Sequence, residues 1–233
     1  MEISKNLEVV DAALWLKKEK IIIINDLHLG YEGMLLAKGV LSPRFQLEEI
    51  IKKMELIIHQ TKPNLLIVNG DLKHEFGKIL KEEWKEVSEF LDFVSKKVKK
   101  IIIIQGNHDP IIKPIANKKN IEVISEYQVG EILIVHGDSL VETKAKRIII
   151  GHEHPAITIR EGSKFEKYKC FLKGKWGKKE IIVVPSFNPL LEGTDVLKGK
   201  LLSPFLNDIH QFEVYVVNKG EVFKFGKILD IKN

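Results

Sequence analysis

The sequence predicts an α/β fold in a single domain, residues 1–233, that contains two stacked β-sheets. In the first half of the chain, short runs of isoleucine, leucine and valine alternate with longer amphipathic segments. This order of strand, helix, strand, helix, strand argues for a parallel sheet with right-handed crossovers. From Ile121 onward, short strand-like runs follow one another closely, separated by turn residues such as Gly130 and Gly220. That spacing predicts a second sheet of mixed or antiparallel strands.

The strands of the first half are predicted from runs rich in β-branched residues, which suit a pleated surface buried on both faces. They are Leu7 to Val10, Ala12 to Leu16, Ile21 to Ile24, Leu65 to Val68 and Ile101 to Ile104. The residues that follow the third of these strands, Leu29 to Gly33, are predicted to form a glycine-containing loop.

Two amphipathic helices are predicted between these strands. The first would begin with Ser42 as N-cap and Pro43 in its first turn, and would end near Thr61. The second covers Ile79 to Val98 and buries one apolar face. The strands predicted for the second half are Ile121 to Ile124, Tyr127 to Val129, Ile132 to Val135, Arg147 to Ile150, Ala156 to Ile159, Phe165 to Leu172, Ile181 to Val184, Phe212 to Val217 and Glu221 to Phe225.

Composition narrows the class of protein. A hydrophobic share of 44% with 30% charged residues is typical of a soluble globular chain and argues against disorder. No apolar run approaches the ~20 residues of a membrane span, and no signal peptide is recognisable. The single cysteine, Cys170, excludes an internal disulfide and a cysteine-rich zinc site, and it suits the cytoplasm, which is the predicted location. The net charge of +5 permits an anionic substrate without requiring one.

Five of the predicted strands run into aspartate, asparagine or histidine. The motifs are Asn25-Asp26-Leu27-His28, Asn69-Gly70-Asp71, Gly106-Asn107-His108-Asp109, His136-Gly137-Asp138 and Gly151-His152-Glu153-His154. In an open α/β sheet the carboxyl ends of the strands lie on one side, so these five loops are expected to converge on one site. Short loops held by buried strands are well suited to carry ligands and acids.

The donors in these motifs predict a metal site. The candidates are Asp26, His28, Asp71, Asn107, His136, His152 and His154. Oxygen and imidazole donors without thiolate suit Mn²⁺, Fe, Zn²⁺ or Ni²⁺, with Mn²⁺ as the first choice. Seven donors exceed the needs of one four-coordinate ion. They match two divalent ions ~3.5–4 Å apart that share a bridging carboxylate and a bridging hydroxide.

The five motifs, in this order, resemble those of the calcineurin-like metallophosphoesterases, and they span residues 26 to 154. The resemblance implies a four-layer αββα sandwich of two mixed sheets flanked by helices. It also implies that the first ion is held by Asp26, His28 and His154, and the second by Asn107, His136 and His152. Asp71 would bridge both ions. His108 would be the catalytic histidine that is not a ligand and faces the leaving group.

Short pieces of the C-terminal half resemble a prokaryotic branch of that family, near the DNA-ligase-associated phosphoesterases. They are Cys170 to Gly174, Ile181 to Pro189 and Gly193 to Asp195. One departure from the family matters. After Gly70-Asp71 the chain reads Leu72-Lys73-His74, where protein phosphatases carry an aspartate and an arginine. Without those two residues, activity on phosphoproteins is not expected.

The resemblance implies a dinuclear metal-dependent hydrolase of phosphate mono- or diesters, working through the bridging hydroxide. One alternative is a nuclease that uses the same site on single-stranded nucleic acid. Another is a non-catalytic scaffold of the same fold, as in the retromer subunit that resembles this family. Scaffold members tend to lose the catalytic histidine or the ligands, whereas this chain keeps His108 and all seven donors. The sequence therefore favours an enzyme.

One basic segment, Lys164 to Lys179, could bind nucleic acid. Seven lysines there interleave with Phe165, Tyr168, Phe171 and Trp176, against a single acid, Glu166. Lysines can contact phosphates, and aromatic rings can stack on bases. The alternative is a β-hairpin with a packed aromatic face and solvated lysines, and this alternative is the stronger one on sequence alone.

The remaining histidines divide into two groups. A lone histidine is usually hydrogen-bonded or exposed, and His59 and His210 are assigned no role in the site. The role of His74 is left open, because it follows Asp71 closely enough to touch a substrate but is equally well explained as a loop residue.

The acids of the motifs that are not proposed as ligands have other expected roles. Asp109 and Asp138 could orient neighbouring histidines or cap turns. Glu153 is expected to point away from the metal ions.

Overall fold

Two β-sheets lie face to face, with the isoleucine-rich runs at their centres. The structure is a computed structural model that describes residues 1–40, 44–76, 80–198 and 200–231. Each residue of the strand at Ile21–Asn25 is buried, because one face packs against helices and the other against the second sheet. Ile22 and Ile24 belong to the helix-facing core, and Ile21 and Ile23 belong to the core between the sheets. The fold class predicted from the sequence is confirmed.

The first sheet contains seven strands of the described chain, in spatial order β1 to β7. They are β1 (Glu2–Ser4), β2 (Leu7–Val10), β3 (Ala13–Leu16), β4 (Ile21–Asn25), β5 (Leu65–Asn69), β6 (Lys100–Ile104) and β7 (Glu122–Ile124). The strands from β4 to β7 are parallel, as the alternation of strands and helices predicts. The strands from β1 to β4 pair antiparallel, so the sheet as a whole is mixed.

The second sheet contains nine strands of the described chain. They are β8 (Glu126–Val129), β9 (Ile132–Val135), β10 (Arg147–Ile150), β11 (Pro155–Glu161), β12 (Lys164–Trp176), β13 (Lys179–Val183), β14 (Thr194–Asp195), β15 (Glu213–Asn218) and β16 (Glu221–Lys227). Strands β9, β10 and β13 are parallel, whereas β12 pairs antiparallel with β13 and with β15. The predicted second mixed sheet is therefore present.

Helices cover the outer face of the first sheet. The described helices are α1 (Tyr31–Ala37), α2 (Gln46–Thr61), α3 (Lys81–Ser95), α4 (Lys113–Lys118) and α5 (Ile228–Ile231). Buried residues of α2 and α3 recur at helical spacing and pack on β4 to β6. The outer face of the second sheet is covered by irregular residues within 196–198 and 200–212 and by α5, through residues such as Phe205 and Ile228.

Two sequence predictions are wrong in detail. The residues from Tyr31 onward form α1 and not a loop, because the buried carboxylate of Glu32 accepts the backbone N–H of Phe45 at 2.9 Å and ties this segment to a distant one. The strand at Glu122–Ile124 belongs to the first sheet, where it pairs with β6. The predicted helix start at Ser42 and Pro43, and the residue Ile79, lie outside the described residues.

Among the described residues, no helix has both the length and the apolar character needed to span a membrane.

Candidate metal centre

Five strands of the two sheets end at one edge, where their polar loops meet. Backbone hydrogen bonds join the loops directly. The N–H of Asp26 donates to the Gly70 carbonyl at 3.2 Å, and the N–H of His28 donates to the Asp71 carbonyl at 2.8 Å. In the second sheet, the N–H of Gly151 donates to the His136 carbonyl at 2.8 Å. The convergence predicted from the strand ends is therefore present. We call this end of the two sheets, where the loops that carry Asp26, Gly70, Gly106, His136 and Gly151 meet, the metal edge.

One cluster of donors contains Asp26, His28, Asp71 and His154. A ligand atom from each lies within 4.8 Å of the others. His154 Nε2 is 3.4 Å from Asp26 Oδ1 and 3.4 Å from His28 Nε2, and His28 Nε2 is 3.7 Å from Asp71 Oδ2. The carboxylates and His28 are buried, whereas His154 is partly exposed. The His154 side of this cluster is therefore open to solvent.

A second cluster contains Asp71, His136 and His152, also within 4.8 Å. His136 Nε2 lies 3.4 Å from Asp71 Oδ2 and 3.0 Å from Asn107 Oδ1, so the amide oxygen of Asn107 joins this group. The rings of His136 and His152 meet edge to face, with 5.0 Å between their centroids. Asp71 belongs to both clusters. All seven donors predicted from the sequence are thus brought together.

The donor set fits divalent metal ions. It offers carboxylate, amide and imidazole atoms and no thiolate, which is the chemistry that Mn²⁺, Fe and Zn²⁺ accept. Two imidazole nitrogens, His28 Nε2 and His154 Nε2, face each other at 3.4 Å between two carboxylates. A cation bound among these four groups would satisfy nitrogen lone pairs that otherwise lie side by side. The residues present therefore fit two ions that share Asp71.

The backbone around the site is tightly constrained. Asp26, His28, Asp71, His152 and His154 all have φ between 45° and 63°, a region that non-glycine residues seldom adopt. Such residues cost of order 1–3 kcal/mol each and persist when the surrounding fold holds them. This concentration of strain is typical of functional sites.

Two glycines of the motifs are required by close packing. A Cβ at Gly70 would lie 1.9 Å from His136 Nδ1, and a Cβ at Gly106 would lie 2.2 Å from Asp71 Oδ1. Gly70 also has a φ of 82°. The glycines before Asp71 and Asn107 therefore let the loops of neighbouring strands approach until the donors meet.

Protonation preferences follow from burial and from the neighbours. Burial alone would raise the pKa of Asp71, but its hydrogen bond to His136 and the nearby imidazoles hold that pKa below its usual range. Burial opposes the charged form of His136, but Asp71 and Asp26 outweigh it and raise its pKa to about 9. Burial, together with the neighbouring His154, holds the pKa of His28 well below its usual range. Bound metal ions would need the histidines neutral and Asp71 ionised.

His108 lies beside the donors. Its backbone N–H donates to Asp71 Oδ1 at 2.8 Å, and its ring Nδ1 donates to the carbonyl of His74. Phe76 packs on the ring, with 3.6 Å between the centroids. Because the carbonyl can only accept, it keeps a proton on Nδ1 and leaves Nε2 available for proton transfer.

His74, which the sequence left open, lies in the site. Its Nδ1 is 3.4 Å from His28 Nδ1, and its ring stacks at 5.7 Å from that of His108. These three histidines form a third group of potential donors within 4.8 Å. Burial lowers the pKa of His74 to about 4. The preceding residue, Lys73, is buried and donates to the Glu75 carbonyl.

Several supporting residues were not singled out from the sequence. Ser186 Oγ donates to the Asp26 carbonyl at 2.7 Å, and Lys169 Nζ donates to the Ser186 carbonyl at 2.8 Å. On the other side, Gln46 Nε2 donates to the His28 carbonyl at 2.9 Å. Ser186 and Lys169 lie in segments that the sequence singled out for other reasons. No local pattern marks any of these contacts, because they join separate segments of the chain.

Two acids of the motifs act through the backbone. Asp109 accepts the N–H groups of Leu72, Lys73 and Gly106, so it caps turns and contacts none of the donor imidazoles directly. Burial and the nearby Asp71 raise its pKa to about 7. Glu153 accepts the N–H groups of Leu202 and Ser203, at 2.7 and 3.0 Å, so it turns away from the metal edge, as expected.

The segment Lys164 to Lys179 divides into two parts. Its first part pairs with β11 to form a hairpin, residues 155–169, which we call the arm. The arm starts directly after His154, and its first two residues pair with β14. Its second part lies at the opposite edge, since Lys175 pairs with Glu180 and Glu180 pairs with Arg147, at the start of β10.

The side chains of the segment also divide. Lys169 is half-buried, and its ammonium group donates to the Ser186 and Asn188 carbonyls; desolvation of this group lowers its pKa to about 7. Phe171 is buried between the sheets. Trp176 packs edge to face on Phe205, at 5.0 Å. Phe165, in contrast, is 59% exposed. Most of the aromatic side chains are packed, as expected for a β-hairpin with a packed aromatic face. Phe165, near the tip of the arm, is exposed to solvent.

Comparisons with known proteins agree with this geometry. A family model described as calcineurin-like phosphoesterase matches residues 19–217. The crystal structure of the Pseudomonas putida nuclease MPE is similar, with a TM-score of 0.69 and 17% identity over 94% of each chain. A phosphoesterase of E. coli, YfcE, gives a TM-score of 0.43 and 14% identity over 91% of this chain and 94% of that one. No curated protein matches.

Proposed function

Since the chain belongs to the calcineurin-like phosphoesterase family, we propose that it is a dinuclear metal-dependent phosphodiesterase. One observation carries the proposal: Asp71 belongs to two groups of donors that meet at one sheet edge. A carboxylate shared in this way is what two neighbouring ions require. The single domain, residues 1–233, would form the catalytic unit.

The proposed ligands of the first ion are Asp26, His28 and His154, and those of the second are Asn107, His136 and His152, with Asp71 shared. When bound, two such ions would supply a hydroxide nucleophile near neutral pH and stabilise negative charge on the phosphoryl oxygens. The protein's own part is to hold the donors rigidly. The hydrogen bonds from Ser186 to Asp26 and from Gln46 to the His28 backbone support this role.

His108 is the proposed general acid. Its Nδ1 proton is held by the His74 carbonyl, so Nε2 is the atom that would deliver a proton to the departing oxygen. Phe76 covers one face of the ring and limits its rotation. His108 also touches Asp71 through its backbone, which fixes the acid relative to the shared ligand.

A diester of nucleic acid is the substrate class that we favour over a monoester. The solved structure with the higher TM-score is described as a nuclease, and the arm places basic and aromatic residues next to His154. We therefore extend the proposal to single-stranded nucleic acid, bound through part of the segment Lys164 to Lys179. Mn²⁺ is the proposed ion. The cytoplasm is the proposed location, where the single buried thiol of Cys170 stays reduced.

The experiment is a side-by-side assay of chromogenic phosphate mono- and diesters with Mn²⁺, followed by single-stranded DNA and RNA. We expect turnover of the diester that requires metal and disappears in His28→Ala. His59→Ala, which removes an exposed histidine on α2, is the matched control and should be unaffected. Absence of metal-dependent turnover on every substrate would favour the scaffold alternative.

A further inference from the structure

A cleft of about 770 Å³ lies beside the arm, outside the metal centre. Its walls come from the arm, the segment after β14, β16 and α5, and its lining residues are Thr158, Ile159, Arg160, Phe165, Leu197, Lys198, Phe225, Asp230 and Ile231. We call it the arm cleft. None of these residues belongs to the motifs that identify the family.

The arm cleft combines exposed rings with positive charge. Phe165 is 59% exposed and Phe225 is 42% exposed, although phenylalanine normally avoids water. Two cations, Arg160 and Lys198, line the cleft with one carboxylate, Asp230. The Arg160 guanidinium lies 5.2 Å from the Phe165 ring and uses one N–H on the Gly162 carbonyl, which leaves further donors for a ligand.

The position of the arm cleft connects it to the metal edge. Thr158 follows the donor His154 by four residues, and an extended strand rises ~3.3 Å per residue. The near end of the cleft is therefore about 13 Å along the chain from His154. The opposite wall is held in place by the N–H of Val196, which donates to the Ala156 carbonyl at 3.0 Å.

From these observations we propose that the arm cleft binds single-stranded nucleic acid leading out of the metal centre. Phe165 and Phe225 stack on bases, and Arg160 and Lys198 contact phosphates. An unpaired strand fits because its bases are free to reach the rings, whereas a duplex keeps them stacked. This proposal rests on the proposed phosphodiesterase function and names the surface that binds its single-stranded substrate.

Another basic region of the described chain fits this ligand less well. A cleft of about 710 Å³ at the opposite edge contains five lysines, among them Lys173, Lys175 and Lys178. It also contains three carboxylates, and its one aromatic residue, Phe212, is only 3% exposed. It therefore offers charge without a stacking surface, and it provides a control of matched charge.

The test is fluorescence anisotropy of a labelled oligothymidylate in EDTA, where cleavage does not compete. The double variant Phe165→Ala, Phe225→Ala should bind about tenfold more weakly or worse, with an unchanged salt slope. Replacing both rings by tryptophan should retain affinity. The control is Phe223→Ala, which removes an equally exposed ring, 46%, from the same strand but outside the cleft.

The charge on the cleft is tested in the same assay. Arg160→Ala with Lys198→Ala should flatten the slope of log affinity against log salt by about 1.4, since each phosphate contact on a single strand contributes about 0.7. Lys175→Ala with Lys178→Ala removes the same charge from the opposite edge and should leave affinity within about twofold.

Unchanged affinity in both cleft variants, equal losses in the controls, or a wild-type protein that does not bind the oligonucleotide would each overturn the proposal. Turnover of a small chromogenic diester shows whether a failure concerns the arm cleft or the proposed phosphodiesterase function. It should be unaffected in all these variants, because the altered residues lie outside the donor clusters. A wild type without diester turnover would contradict the phosphodiesterase proposal, while the binding data would still decide the role of the cleft.

Discussion

The backbone N–H of His108 donates a hydrogen bond to Oδ1 of Asp71, with 2.8 Å between nitrogen and oxygen. The other oxygen of the same carboxylate faces His136 and His28, at 3.4 and 3.7 Å. One side chain therefore fixes the position of the proposed general acid and offers a ligand atom to both donor clusters. Changes at Asp71 and His108 should have separable effects on metal content and on proton transfer.

Asp71→Asn should lose more metal than any other single ligand substitution. The amide keeps the shape of the side chain and can still accept the His108 N–H, but it removes the negative charge that both ions would share. Elemental analysis of the purified protein measures the loss. Asp138→Asn, at an exposed aspartate two residues after His136, is the control. Metal content equal to wild type would remove Asp71 from the bridging position.

His108→Ala should keep its metal ions and lose about 10²–10⁴-fold in rate on alkyl phosphodiesters, the range that general acid catalysis contributes. An alkoxide needs a proton as it leaves, whereas p-nitrophenolate needs little help. The loss should therefore be smaller on a p-nitrophenyl ester. Steady-state kinetics on both substrates, with metal analysis of the same sample, provide the comparison. Equal losses on the two esters, or missing metal, would argue against the general-acid role.

Gly70→Ala should disrupt the metal centre. The added methyl group would lie 1.9 Å from His136 Nδ1, so the imidazole or the loop must move away. Gly130→Ala is the matched control, because Gly130 also has a positive φ but nothing described lies within 4 Å of the added carbon. Both variants should lose some stability in thermal melts, from backbone strain. Only Gly70→Ala should lose metal, and equal metal loss in the two would point to strain as the cause.

The five polar motifs at the strand ends show how much of the site the sequence could predict. The strand ends and their donors were predictable, because buried β-branched runs followed by glycine and polar residues force loops to one sheet edge. Helix α1 was not, since its formation depends on Glu32 reaching the N–H groups that begin α2. The supporting contacts of Ser186 and Lys169 were not predictable either, although both residues lie in segments that the sequence singled out. Their positions at the metal edge depend on pairing between distant segments, Ser186 with Asn25 and Lys169 with Ala156, which local pattern does not encode.

The segment Lys164 to Lys179 shows the same limit in another way. Its composition predicted either a packed hairpin or a nucleic-acid surface, and the structure packs some of its aromatic rings and leaves another exposed. Phe171 packs in the core, whereas Phe165 remains exposed on the arm. The alternation of side chains along a strand predicts which residues share a face. Which face is buried depends on elements that come later in the chain, such as β15 and residues 200–212.

Lys169 should make the stability of the metal-free protein depend on pH. Burial lowers its pKa to about 7 in the folded state, from an ordinary value of 10.5. Between these values the unfolded chain binds more protons, so stability should rise as pH increases from 7 to 10.5, and this group should contribute no pH dependence below 7 or above 10.5. Lys169→Met should flatten this dependence in urea unfolding series. Lys167→Met, on the partly exposed neighbour paired with Glu192, should leave the slope unchanged.

Calorimetric titration of metal-free protein with Mn²⁺, combined with turnover of bis(p-nitrophenyl) phosphate on the same samples, tests the central claim most directly. Two donor clusters that share Asp71 predict two ions per chain, with turnover that is negligible with one ion bound and develops as the second binds. Full turnover with a single ion, or no turnover that depends on Mn²⁺, would contradict the account.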